Sequence, residues 1–248
     1  MFFLIQDVQA DHPMYLDIII LKDLIKGSQH RYEMVTTKML ELLVEHVRFE
    51  PDSIPIGDLE FVQTYLELYQ GIKRLNPIEV PEMLRRPIFL KRNYEFRYGY
   101  ELPESGYYFI KDVTQLKSFV YTGDIKDIQD RIIREHLYLI SDIIDIKSEY
   151  RVFIIDGKIH SINYYNGDPC ILPDVELIKN ANNFYSIQPD YPNSYSMDVA
   201  VTPNGTCILE CHILFSCGLY TTLLGYNFLY GYQHAMQYTK KYNTEIQR

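Results

Sequence analysis

The sequence predicts an α+β fold in which antiparallel sheets carry the chemistry and amphipathic helices cover them, and three observations lead there. The first is Ser148–Ile155, then Asp156-Gly157, then Lys158–Ile162, because Asp-Gly between two apolar β-branched runs is among the strongest short-range hairpin signals. The second is a further hairpin, Ser196–Val201 and Cys207–His212, joined through Thr202-Pro203-Asn204-Gly205-Thr206. The third is helical spacing over Thr36–Val47, where Met39, Leu40, Leu43, Val44 and Val47 share a face.

In chain order, Met1–Asp7 reads as a first strand, since it has no basic region ahead of its apolar run and meets an acid early. The helix over Thr36–Val47 follows, then a helix or strand over Phe61–Leu75, and Pro77, Pro81 and Pro87 punctuate the passage onward. Tyr107–Lys111 is an aromatic and β-branched strand that delivers a lysine at its end. Asp124 caps a predicted helix through Ile125, Ile128, Ile132 and Ile133. After the two hairpins a closing helix is predicted from about Leu219 to Tyr242, following Gly218. Asn163–Pro169 and Pro189–Pro192 read as loops. The punctuation divides the chain into stretches 1–87, 88–140 and 141–248.

The second hairpin holds two acids whose relation depends on its turn. A two-residue Asn-Gly loop would set Asp198 opposite Cys211 and leave Glu210 on the other face. Pro203, with its fixed negative φ, instead suits the first position of a three-residue loop, and that register sets Asp198 opposite Glu210 with His212 on the same face. Two facing carboxylates repel unless a positive group sits between them, and a divalent cation is the usual answer, with solvated acids on an edge hairpin as the alternative.

Upstream lie Lys111 and Lys117, then Arg151 in mid-strand, so the order along the chain is lysine, arginine, aspartate, glutamate. With the segments IPIGDLEFVQTYL, YYFIKDVTQLKSF, YLISDIIDIKSEYRVFIIDGKIHSINYYNGDP and YSMDVAVTPNGTCILECHILFSCGLY, which span most of the chain, the sequence resembles the ATP-grasp superfamily, and within it the small phage and bacterial members regarded as amide-forming ligases. The resemblance implies an ATP-grasp fold: a leading subdomain over 1–87, a lid over 88–140 and a catalytic core over 141–248, with ATP clamped between lid and core. It implies an ATP-dependent carboxylate-amine ligase in which a carboxylate substrate takes the γ-phosphate and an amine acceptor captures the acyl phosphate. The same fold admits a phosphotransferase, or a nucleotide-binding protein whose catalysis has decayed.

By the same resemblance Lys111 and Lys117 contact the ATP phosphates, and Ser141 and Asp142 lie along the base and ribose. Arg151 binds and stabilises the transferring phosphoryl group, and Asp198, Glu210 and His212 hold Mg2+. Two features depart from the family pattern. His212 stands where asparagine is usual, which would favour Mn2+ more than an all-oxygen site does. No glycine lies between Lys111 and Lys117, so backbone cradling of phosphate is not expected there.

A net charge of −9 over 248 residues, without a basic run, excludes duplex nucleic acid as an expected partner. The apolar run Ile18–Leu21 is too short to span a membrane, so a cytoplasmic protein without a membrane partner is expected. Cys170, Cys207, Cys211 and Cys217 show no zinc spacing and read as free core cysteines.

Overall fold

A computed structural model of the chain describes all residues except 47–48, 51, 74, 76–78, 115–118 and 247–248. The first sheet contains β1 (Phe2–Gln6), β2 (Arg31–Val35) and β3 (Ile54–Ile56) in the order β2-β1-β3, and both pairings are parallel. This corrects the expectation of antiparallel sheets, which holds for the other two. The cause is in the connections, for α1 (Tyr15–Lys26) joins β1 to β2 and α2 (Thr37–Leu43) lies between β2 and β3, and helical crossovers return a chain parallel to itself. Phe3, Leu4 and Ile5 are consecutive and fully buried, as a strand covered on both faces requires.

The Thr36 hydroxyl accepts from the Met39 N–H and starts α2, which ends at Leu43, short of the predicted Val47, a residue outside those described. For Phe61–Leu75 the outcome is a helix, α3 (Leu59–Gln70). Asp58 caps its start by accepting from the Phe61 N–H, Gly71 ends it at φ +68°, and Phe61, Val62, Tyr65 and Leu66 bury one face.

The second sheet has β4 (Tyr94–Tyr98), β5 (Tyr107–Asp112), β6 (Val120–Asp124) and β7 (Leu137–Ser141), ordered β4-β7-β5-β6 and antiparallel throughout. The helix predicted from Asp124 is a 3-10 helix over Ile125–Arg131, with Asp124 as its cap. Only Ile125 and Ile128 are buried in it, and a turn of three residues sets that pair one above the other on its buried side.

The third sheet is β8 (Ser148–Ile155), β9 (Lys158–Gly167), β10 (Tyr195–Thr202) and β11 (Gly205–His212), ordered β11-β10-β8-β9 and antiparallel. Asp156 and Gly157 both have positive φ, +51° and +72°, the conformation a right-twisted two-residue hairpin demands. β9 runs through Asn163–Gly167, predicted as a loop, because a bulge between Glu149 and Tyr150 keeps the strand in register with β8. The short α4 (Pro87–Leu90) supplies Phe89 and Leu90, which pack with Val80, Leu84, Tyr150, Val152, Met197 and Val199. Over the same core lies a helix not anticipated from sequence, α5 (Val175–Ser186), capped by Asp174. The residues around Pro81 and Pro87 thus belong to the packing of the third sheet.

On the opposite face Phe153 and Ile155 meet Phe228, Leu229 and Tyr232 of α6 (Phe228–Ile246) and share one core with the first sheet. The closing helix begins nine residues later than the predicted Leu219 (228 − 219). Tyr220 is left-handed at φ +51° and the Leu219 N–H donates to Asp17 Oδ2, which holds this stretch in a non-helical path until Gly225 accepts from the Phe228 N–H. Cys207, Cys211 and Cys217 are buried and free, whereas Cys170 is exposed, a correction to the core reading of all four. Among the described residues no helix is long and apolar enough to cross a membrane.

Candidate functional site

Asp198 stands opposite Glu210, as the hairpin register predicts, but by a different route. The loop closes with Thr202 opposite Gly205, so only Pro203 and Asn204 form the turn. That tighter turn would have thrown Glu210 out of line. A bulge between Asp198 and Val199 corrects it, since Val199 pairs with Ile208 and Asp198 with Glu210, leaving Leu209 as the extra residue. Ile208 and Cys211, three apart, consequently enter the same core, while Leu209 and Glu210 both face a cleft between the second and third sheets. Arg92 braces the bulge: Nη1 donates to the carbonyls of Leu90 (3.1 Å) and Ile208 (2.9 Å), and Nη2 to that of Leu209 (3.4 Å).

Lys111 projects from β5 into this cleft. Its Nζ lies 2.9 Å from Glu79 Oε1 and 2.9 Å from Glu210 Oε2, so one ammonium serves two carboxylates. The other oxygen of Glu210 meets His212 Nε2 at 2.7 Å. Burial alone would push the Glu210 carboxyl up, but His212 and Lys111 outweigh it and hold the group well below the usual carboxylate range. For Lys111 burial works against the charged form and the two glutamates more than offset it, so its pKa is raised. Glu79 escaped sequence reasoning because it is a lone acid between prolines whose partner lies on a separate element. Its backbone sits in the left-handed region at φ +52°, and Glu79 Oε2 is buried without a hydrogen-bond partner among the described residues.

Arg151 and Asp198 are cross-strand neighbours on β8 and β10. The guanidinium grips the carboxylate through Nε (2.8 Å) and Nη2 (2.7 Å), while Nη1 donates to the Gly218 carbonyl at 3.1 Å. Tyr165 and Tyr220, stacked on each other, also lie beside it, with ring centroids 5.9 and 5.1 Å from the Arg151 guanidinium carbon. Desolvation would lower the arginine pKa, but the bond to Asp198 raises it further than burial lowers it. Among the described residues three of its five N–H donors are engaged.

The three residues predicted to ligate a metal are therefore not assembled as one set. Asp198 is held by Arg151, and Glu210 is shared between Lys111 and His212. Among the described residues no group of three or more His, Cys, Asp or Glu side chains is arranged to hold a metal ion. The physical reason is that cationic side chains of the protein already neutralise both carboxylates.

The cleft measures about 380 Å³, inside the roughly 300 to 1,000 Å³ usual for small-molecule sites. Phe109, Val120, Leu139, Ile143, Ile144 and Leu209 make its apolar walls, and Glu79, Arg92, Lys111 and Glu210 its polar end. Ser141 and Asp142 line it where β7 leaves the second sheet. The Asp142 carboxylate accepts from the Asn93 N–H (3.0 Å), and the Asp142 N–H donates to the Asn93 carbonyl (3.3 Å). Asp142 thus fixes the strand end at the cleft. Ser141 donates to the Asp142 carbonyl. Lys117 lies outside the described residues. Arg92 escaped sequence reasoning as Glu79 did, though it stands only two residues before the first strand of the predicted lid.

No curated protein sequence matches the chain. Among solved structures it is similar to D-alanine–D-alanine ligase from Bacillus anthracis complexed with ATP, at 13% identity and TM-score 0.53, covering 99% of this chain and 97% of that one. It is similar to the macrocyclase MdnC of Microcystis aeruginosa MRC bound with precursor peptide MdnA, at 13% identity and TM-score 0.52, over 96% and 99% of the two chains. It is also similar to the L-amino acid ligase of Bacillus licheniformis, at 12% identity and TM-score 0.55, over 94% and 74%. At these identities the likeness is one of fold. Family membership rests on the sequence itself: residues 84–224, more than half of the 248, match a family described as an ATP-grasp domain, family 2 of its clade, and the chain belongs to it.

Proposed function

We propose that the protein is an ATP-dependent carboxylate-amine ligase working through an acyl phosphate. The observation that carries this reading is the placement of Lys111 in a half-enclosed cleft between the second and third sheets, facing the conformationally braced Glu210. The apolar walls around Ile143 and Ile144 suit a purine face. Lys111 then meets the phosphates, and Lys117 is proposed for the same anion. Arg151, which does not line the cleft but lies against its Tyr165 wall, is proposed to meet the transferring phosphoryl group.

The chemistry asks two anions to approach each other. A carboxylate oxygen attacks the γ-phosphorus, the bond to the β-bridging oxygen breaks, and ADP leaves. The amine then attacks the acyl carbon and inorganic phosphate departs with the C–O electron pair. No covalent enzyme nucleophile is required, and positioning plus positive charge supplies the rate. Mg2+ is the metal this chemistry ordinarily employs, and when bound it shields the triphosphate's charge.

The test is ADP release with mixed amino acids and short peptides as carboxylates and hydroxylamine as the amine. A ligase gives carboxylate-dependent ADP and a hydroxamate product. ADP release with a phosphorylated acceptor and no hydroxamate would reassign the protein as a phosphotransferase. Nucleotide binding without turnover would make it a decayed member.

A further inference from the structure

The two glutamates that share the Lys111 ammonium, each at 2.9 Å, are not equivalent. Glu210 has His212 at 2.7 Å on its other oxygen, so it retains a partner when the lysine leaves. Among the described residues Lys111 is the one ion-pair partner of Glu79, and Glu79 Oε2 is buried without a hydrogen bond. Glu79 lines the cleft, yet its side chain is only 8% exposed. If the ammonium moved away, Glu79 would be left as a buried carboxylate with nothing to offset its charge, which is costly.

Nor can Glu79 follow the lysine. The next residue, Val80, is fully buried in the core of the third sheet, and its carbonyl accepts from Arg85 Nε at 2.8 Å. Glu79 itself is held in the left-handed region at φ +52°, where a residue with a Cβ remains only if its surroundings over-determine it. Lys111 is the movable member of the pair, because its ammonium sits on a flexible four-carbon stem. An anion that engages Lys111 therefore has to draw it from a fixed acid that finds no replacement. We propose that Glu79 is a positioning residue that latches Lys111 in the protein alone, so that a phosphate chain binds only by displacing it. The role of Lys111 toward phosphate rests on the nucleotide reading above.

Inorganic tripolyphosphate is the probe, and titration calorimetry of the full chain in the presence of EDTA is the readout. Glu79→Gln should bind it on the order of tenfold or more tightly than the wild type, since a neutral amide is not left behind as a buried charge. In a Lys111→Met background the same substitution should gain at most about twofold, because the latch acts through the lysine. A Glu79→Gln protein no tighter than the wild type overturns the latch. So does a gain of equal size in both backgrounds, which would mean that Glu79 merely repels phosphate. Should Glu79→Gln not fold, Glu79→Asn takes its place in both backgrounds, since asparagine tolerates the left-handed backbone and carries no charge, and the same two results decide. Hydroxamate formation by the wild type keeps this apart from the ligase reading. None formed, with the tripolyphosphate pattern as expected, sinks the ligase and leaves the latch standing, and hydroxamate formed without that pattern does the reverse.

Discussion

Arg151 on β8 lies directly across from Asp198 on β10, and the two form a buried, two-pronged ion pair at 2.8 and 2.7 Å. Arg151 is 9% exposed and Asp198 3%, so neither charge has much water to fall back on. Breaking such a pair from one side leaves a buried charge uncompensated.

Arg151→Ala should therefore cost about 3 to 5 kcal/mol of stability, measured by urea unfolding, and Asp198→Ala a similar amount. The double variant should cost less than the sum of the singles. Additive effects would mean the pair is not coupled. In any folded Arg151 variant turnover should fall by more than the ATP KM rises, since the guanidinium acts on charge that develops in the transition state.

The bulge at Leu209 depends on Arg92. Arg92→Met strips donors from the Ile208 and Leu209 carbonyls, which should cost about 1 to 3 kcal/mol and raise hydrogen exchange along β11. Exchange unchanged at Leu209 and Glu210 would show that the bulge holds without it.

A pH effect belongs to the second sheet, away from the cleft's polar end. Asp112 Oδ2 meets His136 Nδ1 at 2.7 Å and its Oδ1 accepts from the Thr114 N–H at 2.8 Å. Burial pushes the carboxyl up, but these partners outweigh it and lower its pKa below the ordinary 3.8. A depressed acid contributes stability above its unfolded pKa and loses it as pH falls through the folded value. Urea midpoints should thus drop below about pH 4, and Asp112→Asn should flatten that part of the profile while lowering stability near neutrality.

Gly167 ends β9 at φ +89°, and a Cβ there would run into the Lys147 backbone on the segment joining the second and third sheets. Gly167→Ala should destabilise by more than about 1 kcal/mol in thermal unfolding. An unchanged melting temperature would mean this segment yields freely.

The two hairpins were legible because turn residues and alternation are local signals, and Asp156-Gly157 specifies its own backbone. Asp198 facing Glu210 was legible only in outcome. Nothing about Leu209 marks it as a bulge, and the compensation of a tighter turn by an extra residue is a property of packing, seen in Ile208 and Cys211 entering one core. The Arg151–Asp198 pair was hidden for another reason. β8 and β10 are not joined by a turn, so their register comes from tertiary contacts, and Arg151 read as a free catalytic cation when Asp198 already held it. Arg92 meets the Ile208 carbonyl 116 residues further along, and Glu79 meets Lys111 on a different element, so no periodicity announces either. The parallel first sheet was missed because β2 and β3 are short and polar-edged or proline-bearing.

A nucleotide in the cleft, with its phosphates on Lys111, is what the ligase reading requires above all. Titration calorimetry of a non-hydrolysable ATP analogue with Mg2+, on wild type and on a folded Lys111→Ala variant, decides whether it is there. The wild type should show one site per chain, and the variant should bind about tenfold or more weakly, as loss of a charged phosphate contact at about 1.5 to 3 kcal/mol implies. Equal affinity in the two proteins, or no binding to the wild type, would refute that placement.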